Sequence, residues 1–361
     1  MVTDEPVRGV YAYLEHPGIL SLPGLEQMRR WQRMEFPYPP IWYVAGARQV
    51  EGGPGMSTWR MPLTPWMQSA AGTVTGGVLA FAADAPLGTA LFSTLPPMSF
   101  LATSELSFHF VRPPAAGSEA VITRARVIQA GRSQGLTEAT VEDDGGHLLA
   151  HGIARNIITT LPVESPPEPP NGPIPWPEYE GPHPIDRPAE GEVIPQDVWD
   201  RMSGMEMMRA WQEGRLPSTP LSNLIGARDA GFDEGSFSIT VPASRWFTTS
   251  GGTFYGGAVA LFLDYVLHGA IHTTLPAGTS WATLDLKVNF LRPVTPDDAD
   301  LTVRGQVLHR GRTIAVTAGE ITGPDGKTIA QANSSAMLLP DRPWRPAEPS
   351  EPLDEAAPSD G

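Results

Sequence analysis

The sequences Gly-Gly-Val-Leu-Ala-Phe-Ala-Ala-Asp at residues 76–84 and Gly-Gly-Ala-Val-Ala-Leu-Phe-Leu-Asp at residues 256–264 decide the fold. Each begins with two glycines and continues as an apolar run, whose length favours a buried helix over a strand. Each ends in an acid about two turns into that helix, beyond the first turn, where the helix dipole would stabilise a negative charge. Something other than the dipole must therefore stabilise Asp84 and Asp264.

These two stretches belong to a longer internal repeat. From Gly24 to the region of Ala150, residues match others whose numbers are higher by 180, as Asp84 matches Asp264. The matched segments include residues 24–31 with 204–211, 46–48 with 226–228, 94–96 with 274–276, and 110–113 with 290–293. The chain is therefore a tandem duplication of one domain.

The repeat sets the expected domain boundaries. We predict a first domain at residues 1–160 and a second at residues 196–340, each with an N-terminal helix. Residues 161–195 hold twelve prolines among Glu, Gly and Asn, a composition typical of an extended, semi-rigid linker. The tail at residues 341–361 is rich in Pro, Glu and Asp. We expect it to be disordered, because it can bury too little apolar surface.

Within each domain the hydrophobic patterns predict an α+β fold. An amphipathic helix comes first, around residues 25–34 and 205–212. Runs with the period-two alternation of strands follow the central helix at residues 106–110, 121–128 and 136–141, and again at the matching positions of the second copy. Turn signals such as Pro324-Asp-Gly326 separate the runs, so consecutive strands should pair antiparallel. One apolar helix wrapped by a curled antiparallel sheet is the economical architecture.

Composition excludes several classes of function. The 361-residue chain carries a formal net charge of -15, which disfavours nucleic-acid and anionic-membrane partners, because phosphates attract clustered Lys and Arg. The absence of cysteine excludes disulfides, thiolate nucleophiles and Cys-ligated zinc. The N-terminus lacks the basic and apolar regions of a signal peptide, and no run of about 18 apolar residues occurs. We therefore expect a soluble, cytoplasmic protein.

Asp84 and Asp264 are the leading candidates for chemistry. Burial can raise a carboxyl pKa by as much as roughly 3 to 5 units, which lets the group act as an acid or base near neutral pH. An acid at this position can also face solvent, but its recurrence in both copies favours function. The glycine pairs complement the acids, since N–H groups without a neighbouring Cβ can approach a carbonyl oxygen closely at a helix start. A glycine pair needed only for packing is the alternative.

Several motifs together resemble the hotdog-fold acyl-CoA thioesterases of the phenylacetate-pathway (PaaI) type. The motifs are Gly-Thr-Val-Thr-Gly-Gly-Val at residues 72–78 and Gly-Thr-Phe-Tyr-Gly-Gly-Ala at residues 252–258, each followed by Asp, Thr-x-(Glu/Asp)-Leu and Phe-(Val/Leu)-Arg-Pro. The resemblance covers both copies almost end to end and is closest in the second. It implies two tandem hotdog domains, paired side by side, and further assembly of the chains into a homo-oligomer.

The resemblance also implies hydrolysis of R–CO–S–CoA to the free acid and CoA, with two sites between the copies. Each site would join one acid to the glycine pair of the other copy: Asp264 to Gly76 and Gly77 in the Asp264 half, and Asp84 to Gly256 and Gly257 in the Asp84 half. Thr103 and Thr283 fall where such enzymes often place a Ser or Thr hydroxyl that orients the attacking water. Metal and redox cofactors would not be needed, since coenzyme A arrives as part of the substrate. Arg132 and Arg312 follow tight turns and could meet its phosphates.

The sequence departs from the common motif of that family, Asn-Pro-x-Gly-x-x-His-Gly-Gly, at two positions in each copy. Ser69 and Thr249 stand at the Asn position, and Thr75 and Tyr255 stand at the His position. A tyrosine hydroxyl can still donate a hydrogen bond to the substrate carbonyl. The sequence therefore favours the Asp84 half, which contains Tyr255, as the active one. A non-catalytic acyl or acyl-CoA binding protein is the alternative function.

Three other interpretations have less support. Gly131-Arg-Ser-Gln-Gly135 matches the nucleophile elbow of α/β-hydrolases, but it lies between two strand-like runs instead of on a strand-to-helix turn. Asp264, His268 and His272 share one helix face and could hold a metal. Packed or hydrogen-bonded histidines are the simpler interpretation. Hydration of an enoyl thioester would be another hotdog activity, but the Asp-x-Asn-Pro-type signature expected for it is absent.

Overall fold

The computed structural model describes residues 6–162, 164–296, 300–340 and 342–344. Helices and strands occur in the same order in both halves of the chain. The helices are α1 (Ala12–Glu15), α2 (Gly24–Gln32), α3 (Pro40–Ala45), α4 (Gly76–Phe92), α5 (Gln196–Arg201), α6 (Gly204–Gln212), α7 (Pro220–Ile225) and α8 (Gly256–His272). The strands are β1 (Arg48–Gly53), β2 (Met56–Pro62), β3 (Ser99–Phe110), β4 (Ala120–Ala130), β5 (Gln134–Asp143), β6 (Leu148–Thr160), β7 (Arg228–Asp233), β8 (Ser236–Val241), β9 (Thr279–Phe290), β10 (Leu301–Arg310), β11 (Ile314–Thr322) and β12 (Thr328–Pro340).

The twelve strands of the described residues form one antiparallel sheet in the order β1-β2-β4-β5-β6-β3-β9-β12-β11-β10-β8-β7. The first six positions come from the first copy and the last six from the second. The copies meet where β3 pairs with β9, with Leu106 opposite Val288 and His109 opposite Asp285. The two halves are therefore joined edge to edge through backbone hydrogen bonds.

The central helices α4 and α8 lie inside this sheet and pack against each other. We call their contact the seam. Their sequences are apolar on all sides, as expected of buried helices. One apolar cluster contains residues of both helices and of strands from both copies, so the copies share a core. Within the described chain, none of the helices combines the length and apolarity that a membrane crossing requires.

The proline-rich connection packs against the first copy. The side chains of Ile174 and Ile194 are buried. The backbone N–H of Ile174 donates to the carbonyl of Glu35 at 2.8 Å, and the Arg30 guanidinium donates to the carbonyl of Pro170 at 2.8 Å. Residues 164–195 are thus held along the protein surface by specific contacts, which their composition alone does not specify.

The predicted disordered tail falls largely on residues 341 and 345–361, which lie outside the described residues. Trp344 is described, and its ring packs edge-on against Trp281 with centroids 4.3 Å apart. The backbone N–H of Trp344 also donates to the Gln196 side chain at 3.1 Å. This aromatic contact forms part of the wall of the cavity described below.

The predicted α+β fold, with a central helix wrapped by antiparallel strands in each copy, is confirmed. The patterns that predicted strands did not include β6, because its core-facing positions carry small or polar residues. Ala150, Gly152, Ala154 and Asn156 are buried there, so large apolar side chains do not mark the inner face. A Cβ atom at Gly152 would lie 2.1 Å from the ring of Phe108, which explains why the strand needs glycine at this position.

Candidate active site

The seam brings each acid against the glycine pair of the other copy. A Cβ atom at Gly77 would lie 2.6 Å from Cβ of Asp264 and 2.7 Å from its Oδ2 atom. In the other half, a Cβ atom at Gly256 would lie 2.8 Å from Oδ2 of Asp84. These approaches are possible only because both positions are glycine.

The Asp84 half is closed by hydrogen bonds between protein groups. The backbone N–H of Gly257 donates to Oδ2 of Asp84 at 2.8 Å, and the Thr103 hydroxyl donates to Oδ1 at 3.2 Å. Asp84 is only 5% exposed. Burial raises the pKa of Asp84 to about 6, while the hydrogen bonds from Gly257 and Thr103 act in the opposite direction. The amide that would polarise a substrate carbonyl already binds the acid.

The hydroxyl of Tyr255, which was predicted to bind the substrate carbonyl, bonds backbone groups of α4. Its hydroxyl donates to the carbonyl of Phe81 at 2.7 Å and accepts the backbone N–H of Ala85 at 2.7 Å. In a regular helix these two groups would bond to each other. The Tyr255 hydroxyl therefore bridges them in place of that backbone hydrogen bond of α4. Burial raises the pKa of Tyr255 well above its ordinary value. In this arrangement the Tyr255 hydroxyl proton is directed at the Phe81 carbonyl.

The Asp264 half opens onto a cavity of about 480 Å³. Thr75 and Gly76 line it at the start of α4, and His268 and Thr283 line it on the second copy. The remaining wall is mainly apolar and rich in aromatic rings, among them Trp199, Trp281 and Trp344. An apolar cavity with a few convergent polar groups is the usual form of a small-molecule site. The structure therefore places the open site in the half that the sequence did not favour.

Asp264, His268 and Thr283 form a chain of contacts from the seam to the cavity wall. Nδ1 of His268 lies 3.3 Å from Oδ2 of Asp264, and its Nε2 atom hydrogen-bonds the Thr283 hydroxyl. Asp264 is 1% exposed and does not line the cavity. Neither of its carboxylate oxygens has a well-aligned hydrogen bond within the described chain. A buried carboxylate without hydrogen-bond partners is costly to maintain.

The contacts of His268 with Asp264 and Thr283 were not predicted from the sequence. Its spacing of four residues from Asp264 suggested a metal site or, more simply, a packed or hydrogen-bonded histidine, and the repeat gave no support for a functional role because Gly88 stands at the matching position. In the structure no group of three metal-ligating side chains occurs among the described residues. His272, one turn further on, packs its ring 5.1 Å from that of Trp199. Burial lowers the pKa of His272 to about 4.

The remaining residues predicted for substrate binding lie in different places. Ser69 lines the cavity, and its hydroxyl accepts the backbone N–H of Thr73 at 3.3 Å. Thr249 occupies the matching turn before α8, away from the cavity. Arg132 and Arg312 are exposed in the β4–β5 and β10–β11 turns and do not line the cavity.

Arg112 is the cation found at the cavity instead. It follows β3 and is exposed. In the sequence it appeared only as part of the repeated motif Phe-(Val/Leu)-Arg-Pro, with no binding role. Arg112 reaches the cavity because the end of β3 lies beside the start of α4 in the fold.

Comparisons with known proteins agree with this architecture. Residues 251–330 match the Thioesterase superfamily, and residues 15–153 match the Acyl-CoA thioesterase C-terminal domain. Over 107 residues the chain is 31% identical to a proposed esterase of Saccharolobus solfataricus, covering 30% of this chain and 74% of that protein. The chain belongs to the hotdog-fold thioesterase superfamily. A proposed esterase of Pseudomonas aeruginosa is 24% identical over 146 residues, covering 40% of this chain and 94% of that protein.

Two solved structures resemble the chain over most of its length. A tesB protein of Mycobacterium avium subsp. paratuberculosis superposes with a TM-score of 0.53 at 13% identity, covering 83% of this chain and 98% of that one. A proposed thioesterase of Novosphingobium aromaticivorans gives a TM-score of 0.50 at 15% identity, covering 81% and 98%. Identities this low show the fold alone. The coverage shows that the likeness in fold extends through both copies.

Proposed function

We propose that the protein hydrolyses acyl-CoA thioesters at one centre, formed by Asp264, Thr283 and the start of α4. The observation that carries the proposal is the cavity of about 480 Å³, which reaches Gly76 and Thr283 in the Asp264 half. The Asp84 half, whose acid is bonded to Gly257, serves as a structural counterpart. The arrangement of acid and glycine pair supports a site of the PaaI type.

The start of α4 is suited to polarise the thioester carbonyl. Backbone N–H groups in the first turn of a helix have no partners within the helix and favour negative charge. Gly76 lines the cavity at this point, and Gly77 follows directly. The Thr75 hydroxyl oxygen is buried without a hydrogen-bond partner among the described residues, so it is free to add a donor. These groups would stabilise the oxyanion that develops when the carbonyl carbon is attacked.

The cavity is suited to hold the acyl group. Its aromatic and aliphatic lining offers apolar surface for an acyl chain or ring, since burial of apolar area drives such binding. CoA would then extend outward past Arg112, whose guanidinium can pair with a phosphate. The chemistry needs no group beyond the protein and the substrate. Metal independence therefore remains part of the proposal.

Assembly of several chains into a homo-oligomer is also part of the proposal. The sheet ends at β1 and β7, and unpaired strand edges favour association. Light scattering during size-exclusion chromatography measures the mass directly. A mass equal to a single chain across a range of protein concentrations would contradict this element.

The matched variants Asp264→Asn and Asp84→Asn test the catalytic proposal. Release of thiol from acetyl-, octanoyl-, palmitoyl- and benzoyl-CoA is measured for each variant. We expect Asp264→Asn to lower kcat by roughly a thousandfold or more, because the negative charge of the centre is lost. Asp84→Asn should retain most of the activity, since its half is closed.

The opposite ranking of the two variants would move the centre to the Asp84 half. Full activity in Asp264→Asn would remove the proposed mechanism. Saturable binding of acyl-CoA without turnover by the unmodified chain would select the alternative, a non-catalytic acyl-CoA binding protein. Each variant's thermal unfolding midpoint is measured as a control for folding.

A further inference from the structure

The buried acid of the Asp264 half reaches the cavity only through a histidine. Asp264 is 1% exposed and absent from the cavity wall, whereas His268 and Thr283 lie on it. Nδ1 of His268 faces Oδ2 of Asp264 at 3.3 Å, and Nε2 bonds the Thr283 hydroxyl. Thr283 and His268 can therefore both meet a substrate in the cavity, and Asp264 lies behind His268.

The first copy shows what the same positions do without a histidine. Thr103 matches Thr283, and its hydroxyl bonds Asp84 directly at 3.2 Å and Asn156 at 3.3 Å. In the second copy Ala336 lies opposite Thr283 in the sheet, where Asn156 lies opposite Thr103. Thr283 thus lacks the matching amide and bonds the imidazole instead. In the second copy the imidazole of His268 therefore lies between the acid and the hydroxyl, whereas in the first copy the two groups bond directly.

The positions of the two ring nitrogens of His268 suit one tautomer. With its proton on Nδ1, the nitrogen that faces the Asp264 carboxylate at 3.3 Å, His268 would leave Nε2 free to accept a hydrogen bond. Nε2 is then an acceptor, and the Thr283 hydroxyl donates to it. This is the order of groups that activates a hydroxyl nucleophile: an acid that fixes the tautomer, an imidazole base, and an alcohol facing the substrate.

We propose that Thr283 is the nucleophile of this centre, activated by His268 and Asp264, and that hydrolysis passes through an acyl-threonine ester. The inference rests on the proposed thioesterase function. Oγ1 of Thr283 attacks the thioester carbon and its proton passes to Nε2 of His268. The C–S bond breaks, and the CoA sulfur leaves with that proton.

A water molecule completes the reaction. It attacks the ester carbon and gives a proton to Nε2 of His268. The bond from that carbon to Oγ1 breaks, Thr283 recovers the proton, and the free acid leaves. In both steps the negative charge forms on the carbonyl oxygen near the amides of Gly76 and Gly77. No oxidant, reductant or co-reactant other than water is required.

Product partitioning tests the intermediate. Octanoyl-CoA and p-nitrophenyl octanoate deliver the same acyl group from different leaving groups. In buffer containing methanol, a shared acyl-threonine gives the same ratio of methyl octanoate to octanoic acid from both substrates. Direct attack by water gives ratios that depend on the leaving group. Acid quenching followed by peptide mass analysis should locate any accumulated octanoyl group on Thr283.

Three variants of the full chain complete the test. Thr283→Val removes the hydroxyl but keeps the shape, and it should lower kcat by roughly a thousandfold or more. Thr283→Ser restores a hydroxyl and should recover most of the rate and the same partition ratio. His268→Gln should lose activity with octanoyl-CoA to a similar degree. Thermal unfolding of each variant shows whether the loss comes from misfolding.

The outcomes separate this inference from the proposed function. Retention of more than about a tenth of the activity by Thr283→Val would overturn the nucleophile, while the thioesterase function would stand. Loss of activity in Thr283→Val with leaving-group-dependent partitioning would also overturn it, because Thr283 would then only position water. An unmodified chain that hydrolyses none of the acyl-CoA substrates would overturn both.

Discussion

At the scale of single residues, Asp84 and Asp264 occupy the same position in two helices but have different neighbours. Asp84 accepts hydrogen bonds from Gly257 and Thr103. Asp264 instead faces the imidazole of His268. Two copies of one sequence pattern therefore give their acids different surroundings, and His268, which stands where the first copy has Gly88, contributes to the difference.

The raised pKa of Asp84 predicts a pH-dependent stability. Burial raises this pKa from 3.8 to about 6, so the folded state favours the protonated acid. That contribution is complete below pH 3.8 and is lost as the pH rises through about 6. Between about pH 4 and pH 7, the unfolding free energy of the unmodified protein should fall by about 2 to 3 kcal/mol more than that of Asp84→Asn. Urea denaturation across this range measures both, and parallel curves would contradict the prediction.

Tyr255→Phe separates a structural role of the hydroxyl from a catalytic one. The change removes the group that satisfies the Phe81 carbonyl and the Ala85 N–H. Unsatisfied buried polar groups cost about 1–3 kcal/mol, so the thermal midpoint should fall while kcat with octanoyl-CoA is unchanged. A lower kcat with an unchanged midpoint would instead support the carbonyl-binding role that the sequence suggested.

At the scale of secondary-structure elements, the close approach of α4 to α8 depends on glycine. Gly77→Ala would place a methyl group 2.6 Å from Cβ of Asp264, so the helices must move apart. Overpacking of this kind costs about 1–3 kcal/mol, and a misplacement of about 1 Å can cost roughly a hundredfold in rate. We expect both losses, measured by thermal unfolding and by thiol release.

Gly88→Ala is the matched control for Gly77→Ala on the same helix. A Cβ atom at Gly88 would meet nothing within 4 Å. Alanine is favoured over glycine in a helix by roughly 0.5–1 kcal/mol, so this variant should be slightly more stable and fully active. Equal losses of stability and activity from both substitutions would show that the effect of Gly77→Ala does not come from the close contact at the seam.

The elements also show what the sequence could and could not predict. The helices that begin at Gly76 and Gly256 were recognisable because an apolar run and a repeated acid mark them locally. The participation of His268 was not, since the repeat offers Gly88 at that position. The hydrogen bonds of Tyr255 to Phe81 and Ala85 depend on how the two helices pack across the seam. That packing cannot be predicted from the local sequence around Tyr255.

At the scale of the whole molecule, the β3–β9 junction joins two domains into one core. Leu106 and Val288 lie opposite each other there and are buried. Because one apolar cluster includes residues of both copies, we expect a single cooperative unfolding transition. Leu106→Ala should destabilise that transition by about 2–5 kcal/mol, as measured by calorimetry. Two separate transitions, with only one affected by the substitution, would contradict a shared core.

Lys287→Ala is a control at the same junction. Lys287 pairs with Glu105 of the first copy at 3.2 Å, and the two side chains are 49% and 32% exposed. Solvent screening limits such a pair to less than about 1 kcal/mol, so the transition should move little. A shift as large as that of Leu106→Ala would mean that charge, instead of apolar packing, holds the halves together.

The covalent connection at residues 161–195 removes a constraint that a dimer of identical chains would face. In such a dimer every substitution appears twice, so a change that shuts one pocket shuts the other as well. With both halves in one polypeptide, a mutation alters a single pocket. One copy can then become a structural support while the other copy acquires a different reactivity.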